Sequence, residues 1–171
     1  MDIQPGTYST GDWIVHANYG VGQVEGIEKK ILGGEKKLFF KVKTFDGVYW
    51  LSVVKTNVEY IRPITSRNQI KRALTMLREA SRELPHDHSK RSKMIMEAVK
   101  GTSLFLKAGM IRDLYGRQTT SKLSFTEEDA LAKLKKQFVS EWAAVTGTDR
   151  TELERELGTV LLTSAEKRAN S

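Results

Sequence analysis

The 171-residue sequence has no cysteine, and only three histidines and three prolines. Without cysteine there is no disulfide framework, no thiolate zinc centre and no cysteine nucleophile, and the composition is compatible with a reducing compartment. His16, His86 and His88 are the only imidazoles available for acid–base or metal chemistry. No apolar run approaches the roughly 18 residues of a membrane-spanning helix. Residues 1–11 lack the basic start and hydrophobic stretch of a secretory signal. The expectation is a soluble, cytoplasmic protein with no membrane partner, long enough to bury one generous core or two small ones.

What the chain has is charge, unevenly placed. Residues 1–60 hold seven lysines against seven acidic residues, residues 61–122 fourteen Lys/Arg against five Asp/Glu, and residues 123–171 seven against nine. The overall +7 therefore resides in one central band of +9. Clustered Lys/Arg is what counterion release rewards, so the band points to a phosphate-bearing partner; a basic but ligand-free helical surface is the alternative.

Hydrophobic periodicity divides the chain near Arg62-Pro63, since the residue before proline is pushed out of helical angles. In front of that junction the pattern is of short strands. Trp13–His16 is apolar, Ala17–Gly22 supplies a tight return, and Gln23–Leu32 runs into the Gly33-Gly34 hairpin signal. Leu38, Phe40 and Val42 alternate with Phe39, Lys41 and Lys43 in a half-buried strand. Asp46-Gly47 then leads into Val48–Val53, and Val58–Ile61 closes the set. Five short strands in about sixty residues favour a small SH3- or Tudor-like barrel. After Pro63 the period becomes helical. Ser66 caps a first helix reaching Leu84, and Pro85-His86-Asp87-His88 interrupts. A second helix spans Ser89–Lys100 and a third Ser103–Tyr115, with Gly116 as its C-cap. A fourth opens at Ser124 with acidic residues on its first turn and carries Leu131, Leu134, Phe138 and Trp142 on one stripe to Gly147. A fifth starts at Asp149 and frays from Thr163. The fold class is thus α+β: a β-barrel domain over 1–63 and an all-helical domain of about five helices over 64–171.

Catalytic candidates are few. His86, Asp87 and His88 would give a metal two imidazoles and one carboxylate, short of a typical site. His16 lies inside an apolar strand, where a hydrogen-bonded structural histidine is the simpler reading. Gly20-Val21-Gly22 precedes a strand and lacks the lysine and hydroxyl of a phosphate loop. With no catalytic residue, metal site or cofactor motif, the expected role is a binding module rather than an enzyme.

The segments Gly11-Asp12-Trp13-Ile14-Val15-His16, Tyr19-Gly20-Val21-Gly22, Val24 and Ile27-Glu28 resemble the opening of the CarD/CdnL family of bacterial transcription regulators. Read alone, that opening also resembles the polymerase-interaction domain of transcription-repair coupling factor. The second half decides between them. Ile111-Arg112-Asp113-Leu114-Tyr115-Gly116-Arg117, Leu123-Ser124-Phe125-Thr126-Glu127-Glu128, Ser140-Glu141 and Glu152-Leu153-Glu154 resemble the CarD helical domain.

The resemblance implies an adaptor, monomeric when free and nucleoid-associated. Its barrel would dock on the RNA polymerase β subunit, while its helical domain touches promoter DNA at backbone and minor groove and stabilises the open complex. Lys30 matches one basic polymerase contact of the family, whereas Ser52 stands where a second is expected and Val53-Val54 where the family has Val-Pro. Trp50 and Tyr49 are either interface aromatics or barrel core, and alternation does not decide which. His88 occupies the place of a tryptophan wedge, which implies retained backbone binding with weaker, or differently achieved, stabilisation of the bubble. Lys90, Arg91 and Lys93 match the family's basic cluster, with Arg117 as a further phosphate contact. Arg112-Asp113 reads as an internal ion pair or a helix–helix contact, and Trp142 as core. A polymerase-binding module that has lost the DNA function is the alternative.

Overall fold

The computed structural model describes residues 8–54 and 59–170. The chain forms two compact units divided between Ile64 and Thr65.

The first unit is one antiparallel five-stranded sheet: β1 (Trp13–His16), β2 (Gly20–Leu32), β3 (Glu35–Thr44), β4 (Val48–Ser52) and β5 (Ile61–Pro63), in spatial order β4-β3-β2-β1-β5. The β2–β3 connection is as short as a hairpin allows, with Leu32 paired to Glu35. Gly33 and Gly34 take φ of +60° and +81°, which L side chains resist and a type I′ turn requires. A bulge between Val24 and Gly26 inserts one extra residue, so Val24 and Ile27 fall on the same face of β2. The core gathers Ile14, Val24, Phe40, Val42, Tyr49, Leu51 and Ile61, from all five strands. Since the edge strands β4 and β5 share it, the sheet curls on itself in the expected Tudor-like form. Leu38, expected to be buried beside Phe40 and Val42, is 42% exposed because it lies on the part of the β2–β3 hairpin that runs past this core. Of the last expected strand, Val58 is outside the described residues, and β5 begins at Ile61.

The second unit holds α1 (Arg67–Arg78), α2 (His88–Lys100), α3 (Leu104–Thr120), α4 (Phe125–Thr146) and α5 (Arg150–Ala169). Each opens on a side-chain cap, from Ser66, Asp87, Ser103, Ser124 and Asp149. Ser66/Gln69 and Ser124/Glu127 form complete capping boxes. α1 packs on α3 and α5, and α4 on α2, α3 and α5. Between them lies a single core in which Ile111, Leu114, Leu134, Phe138 and Leu161 are wholly buried. Trp142 joins it, edge-on to Phe138.

Three helix ends depart from the sequence expectation, and one cause explains them. α1 stops at Arg78 instead of Leu84, α3 continues through Gly116 to Thr120, and α5 runs to Ala169 past Thr163. The irregular segment after α1 is held by side chains of the other two helices. Arg112 Nη1 donates to Met76 O, Asp113 Oδ1 accepts from the Arg82 backbone N–H, and Ser164 Oγ donates to Glu79 O at 2.6 Å. Arg168 Nη1 reaches Ser81 Oγ at 2.8 Å. Gly116 is an interior helical residue because a Cβ there would run into the Ser81 side chain. Tertiary partners for the carbonyls of α1 outweigh the helix propensity of Glu79–Leu84.

Candidate interaction surfaces

In the β unit, strand pairing fixes which side chains share a face. Lys41 pairs with Trp50 and Phe39 with Ser52, while Glu28 pairs with Phe39 and Lys30 with Lys37. Alternation therefore puts Glu28, Lys30, Phe39, Lys41, Trp50 and Ser52 on the outer face. Lys30, Ser52 at the position of the family's second basic contact, and Trp50 all lie on that face. Trp50 is 43% exposed, with Lys30 Nζ 3.4 Å from its ring centroid and its indole Nε1 donating to Glu28 Oε2 at 2.8 Å. Lys41 Nζ lies 3.7 Å from Glu25 Oε2 and 3.8 Å from Glu28 Oε1. The indole is held between a cation on its face and a carboxylate on its edge, which fixes its orientation before any partner arrives.

The choice left open between Tyr49 and Trp50 is settled: Tyr49 is core. It stacks on Tyr19 at 4.7 Å and meets His16 edge-on. Burial, with smaller contributions from Tyr8 and Tyr19, raises its phenol well above the ordinary value. His16 Nδ1 accepts the Asn18 backbone N–H at 3.0 Å, and burial lowers its pKa, so it is a neutral structural histidine.

In the helical unit, α2 carries the expected DNA residues and sorts them. His88, Lys90 and Lys93 are exposed, and with Met94 the two lysines form one stripe at spacings of three and four. Asp87 Oδ1 accepts the Lys90 N–H at 2.8 Å and fixes the start of the helix. Arg91 is on the opposite, buried stripe with Ile95 and Ala98. Its Nε donates to Glu127 Oε1 at 2.6 Å and its Nη1 to the carbonyls of Pro85 and His86, each at 3.0 Å. The expectation that Arg91 meets phosphate is corrected to an interior role, because helical periodicity turns it toward α4 whereas Lys90 and Lys93 face out. Arg117, in the last turn of α3, is intermediate: Nε is 3.5 Å from Glu127 Oε1 and the side chain is 26% exposed.

Glu127 is the residue that sequence reasoning missed. One carboxylate accepts from the Ser124 backbone N–H at 2.9 Å and from Arg91, and faces Arg117. Burial pushes its carboxyl up, but the Ser124 N–H and the two guanidiniums outweigh that and hold it below the ordinary value. The Ser124-x-x-Glu127 spacing is that of a capping box, which the structure forms; its second use as an arginine anchor has no local signal. Lys107 is also buried, with Nζ on Ala98 O at 2.8 Å, Val99 O at 3.3 Å and Gln137 Oε1 at 2.8 Å, so that it closes the end of α2. Arg112 pairs with Asp113 at 2.8 Å and also reaches Met76 O and Glu79, so that the ion pair and the helix–helix contact are both present.

The described residues contain no group of three or more His, Cys, Asp or Glu able to hold a metal ion. His86 Nε2 lies 3.1 Å from Glu83 Oε1, and Asp87 is engaged as a helix cap. No helix among the described residues is long and apolar enough to cross a membrane.

Residues 8–65 match the CarD-like/TRCF RID domain and residues 72–158 match the CarD C-terminal domain. The fold and these matches define a two-part, RNA polymerase-interacting transcription regulator. The chain belongs to the CarD family.

Proposed function

We propose that this protein docks on the β subunit of RNA polymerase through the outer face of its β unit and grips promoter DNA through the α2 face of its helical unit, thereby stabilising the open complex. The observation that carries this reading is the contrast between the two faces. An oriented, half-exposed tryptophan among locally balanced charges has the character of a protein interface. Exposed lysines at the start of α2, within the +9 band, have the character of a backbone-phosphate interface that does not read base identity. The mechanism is differential binding: no bond is made or broken, and the promoter shifts toward the state the adaptor prefers. His88 offers a smaller ring than an indole at the exposed start of α2, so the grip is expected to exceed the wedging. We assign the protein to the nucleoid-associated cytoplasmic pool and treat it as a monomer when free.

The test is binding to a fork-junction promoter fragment with RNA polymerase across a salt series. Lys90→Ala/Lys93→Ala should flatten the log–log salt slope by about 1.8, roughly 0.9 for each lost phosphate contact, while His88→Trp lengthens open-complex lifetime. Unchanged salt dependence and lifetime with polymerase still bound would refute the DNA half and leave a polymerase-binding module.

A further inference from the structure

We infer that the recess between the segment preceding α2 and the C-terminal ends of α3 and α5 is a receptor for a single phosphate group. For one of its two sources, a DNA backbone phosphate, this deepens the reading above and rests on it. Arg82, Arg117 and Arg168 line the recess, about 110 Å³ in volume, together with the hydroxyl-bearing Thr120 and Ser121. Glu83 is the one carboxylate among the lining residues. Three guanidiniums in so small a recess offer an entering oxyanion charge-assisted hydrogen bonds.

Volume decides the class of ligand. Small-molecule pockets run from about 300 Å³ upward, whereas 110 Å³ is the space of roughly three to four waters. A tetrahedral oxyanion fits; a base or sugar must remain outside. The ligand is therefore one phosphoryl group, either a backbone phosphodiester or a free phosphate. His86 on the wall is two residues before exposed His88, which favours the backbone source. Arg82 is suited to close over the group: its backbone N–H is fixed on Asp113 Oδ1 at 2.9 Å, while its exposed side chain enters none of the ion pairs found among the described residues.

The experiment uses the full chain, wild type and Arg82→Ala, with two arms. In the first, inorganic phosphate is titrated against amide NMR signals at ionic strength matched with chloride. Saturable shifts are expected at Thr120 and Ser121, weakened about tenfold in Arg82→Ala. In the second, duplex DNA binding is followed across salt, and Arg82→Ala should lower the slope by about 0.9. Loss of phosphate binding with an unchanged duplex slope supports the recess and assigns it to a free phosphate. Shifts identical to those of chloride, with no change in slope, overturn the inference. Absence of duplex binding by the wild type would refute the DNA reading alone, since the phosphate arm reads the recess independently.

Discussion

The two units handle their charges in opposite ways. On the β unit's outer face, acids and bases meet at the surface: Lys41 sits between Glu25 and Glu28, and Glu28 also orients Trp50. In the basic band of the helical unit most acids are engaged by partners other than the exposed lysines. Of the five acidic residues between 61 and 122, Glu79 and Asp113 pair with Arg112, Glu83 pairs with His86, and Asp87 caps α2. Among the described residues, the exposed Lys90 and Lys93 of the same band enter no ion pair. Net charge alone would have located a basic segment; the fate of the acids explains why that segment presents a basic surface, whereas the β unit's balanced face is dominated by an aromatic ring.

Glu127→Ala should break this contrast most severely. It strands the buried Arg91 guanidinium beside Arg117 and removes half of a capping box, and losing one partner of a buried pair costs about 3–5 kcal/mol. Urea unfolding followed by far-UV circular dichroism should show the loss in the helical transition, and Glu127→Gln, which keeps the acceptors, should lose less. No such sensitivity is expected on the β unit, where Lys41 and its partners are each more than a third exposed and worth about 1 kcal/mol or less.

Next in size is Trp50→Ala, which removes a preoriented aromatic anchor. We expect about 2 kcal/mol, near thirtyfold, off polymerase affinity with duplex binding unchanged. Equal losses in both assays would mean that the division of labour between the faces is wrong. Ser52→Arg, adding a base on the face that carries Lys30, should act in the opposite direction.

Much of this architecture was legible in the sequence, for reasons that are local. Gly33-Gly34, Ser66, Ser124 and Gly147 act within a few residues of themselves, and the turn and helix ends they signal are found where expected. The misread helix ends and the misassigned Arg91 depend on partners far along the chain: Ser164 on Glu79, Gly116 against Ser81, Arg91 on Glu127. A basic residue reads the same in sequence whether its guanidinium meets phosphate or a buried carboxylate. Helical phase separates the cases, since Arg91 shares its stripe with Ile95 and Ala98.

That distinction yields a smaller effect with a sharper signature. Lys90→Ala should reduce the salt slope of DNA binding by about 0.9, roughly 3.5-fold in affinity between 50 and 200 mM salt. Arg91→Lys should lower affinity through a loosened Pro85–His86 segment while leaving the slope unchanged, because the side chain lost from that clamp touches no phosphate. A slope change equal to that of Lys90→Ala would return Arg91 to the DNA face.

The smallest effect separates the units by pH. In the β unit, burial lowers the pKa of His16, so below the ordinary imidazole value of 6.5 the unfolded chain binds a proton that the folded one resists. Stability from this source is present above that value and is lost as pH falls toward the folded-state pKa. In the helical unit, Glu127 is also lowered, so its stabilisation is present above the ordinary carboxyl value of 4.5 and is lost only as pH falls below it. Acid should therefore loosen the β unit first. Amide protection factors, corrected for the intrinsic exchange rate, should fall at Ile14 and Val15 between neutrality and pH 5 while those at Leu134 and Phe138 hold, and His16→Asn should remove the early response. If both sets lose protection together only below pH 4.5, the imidazole contributes nothing and carboxylates govern the acid response of both units.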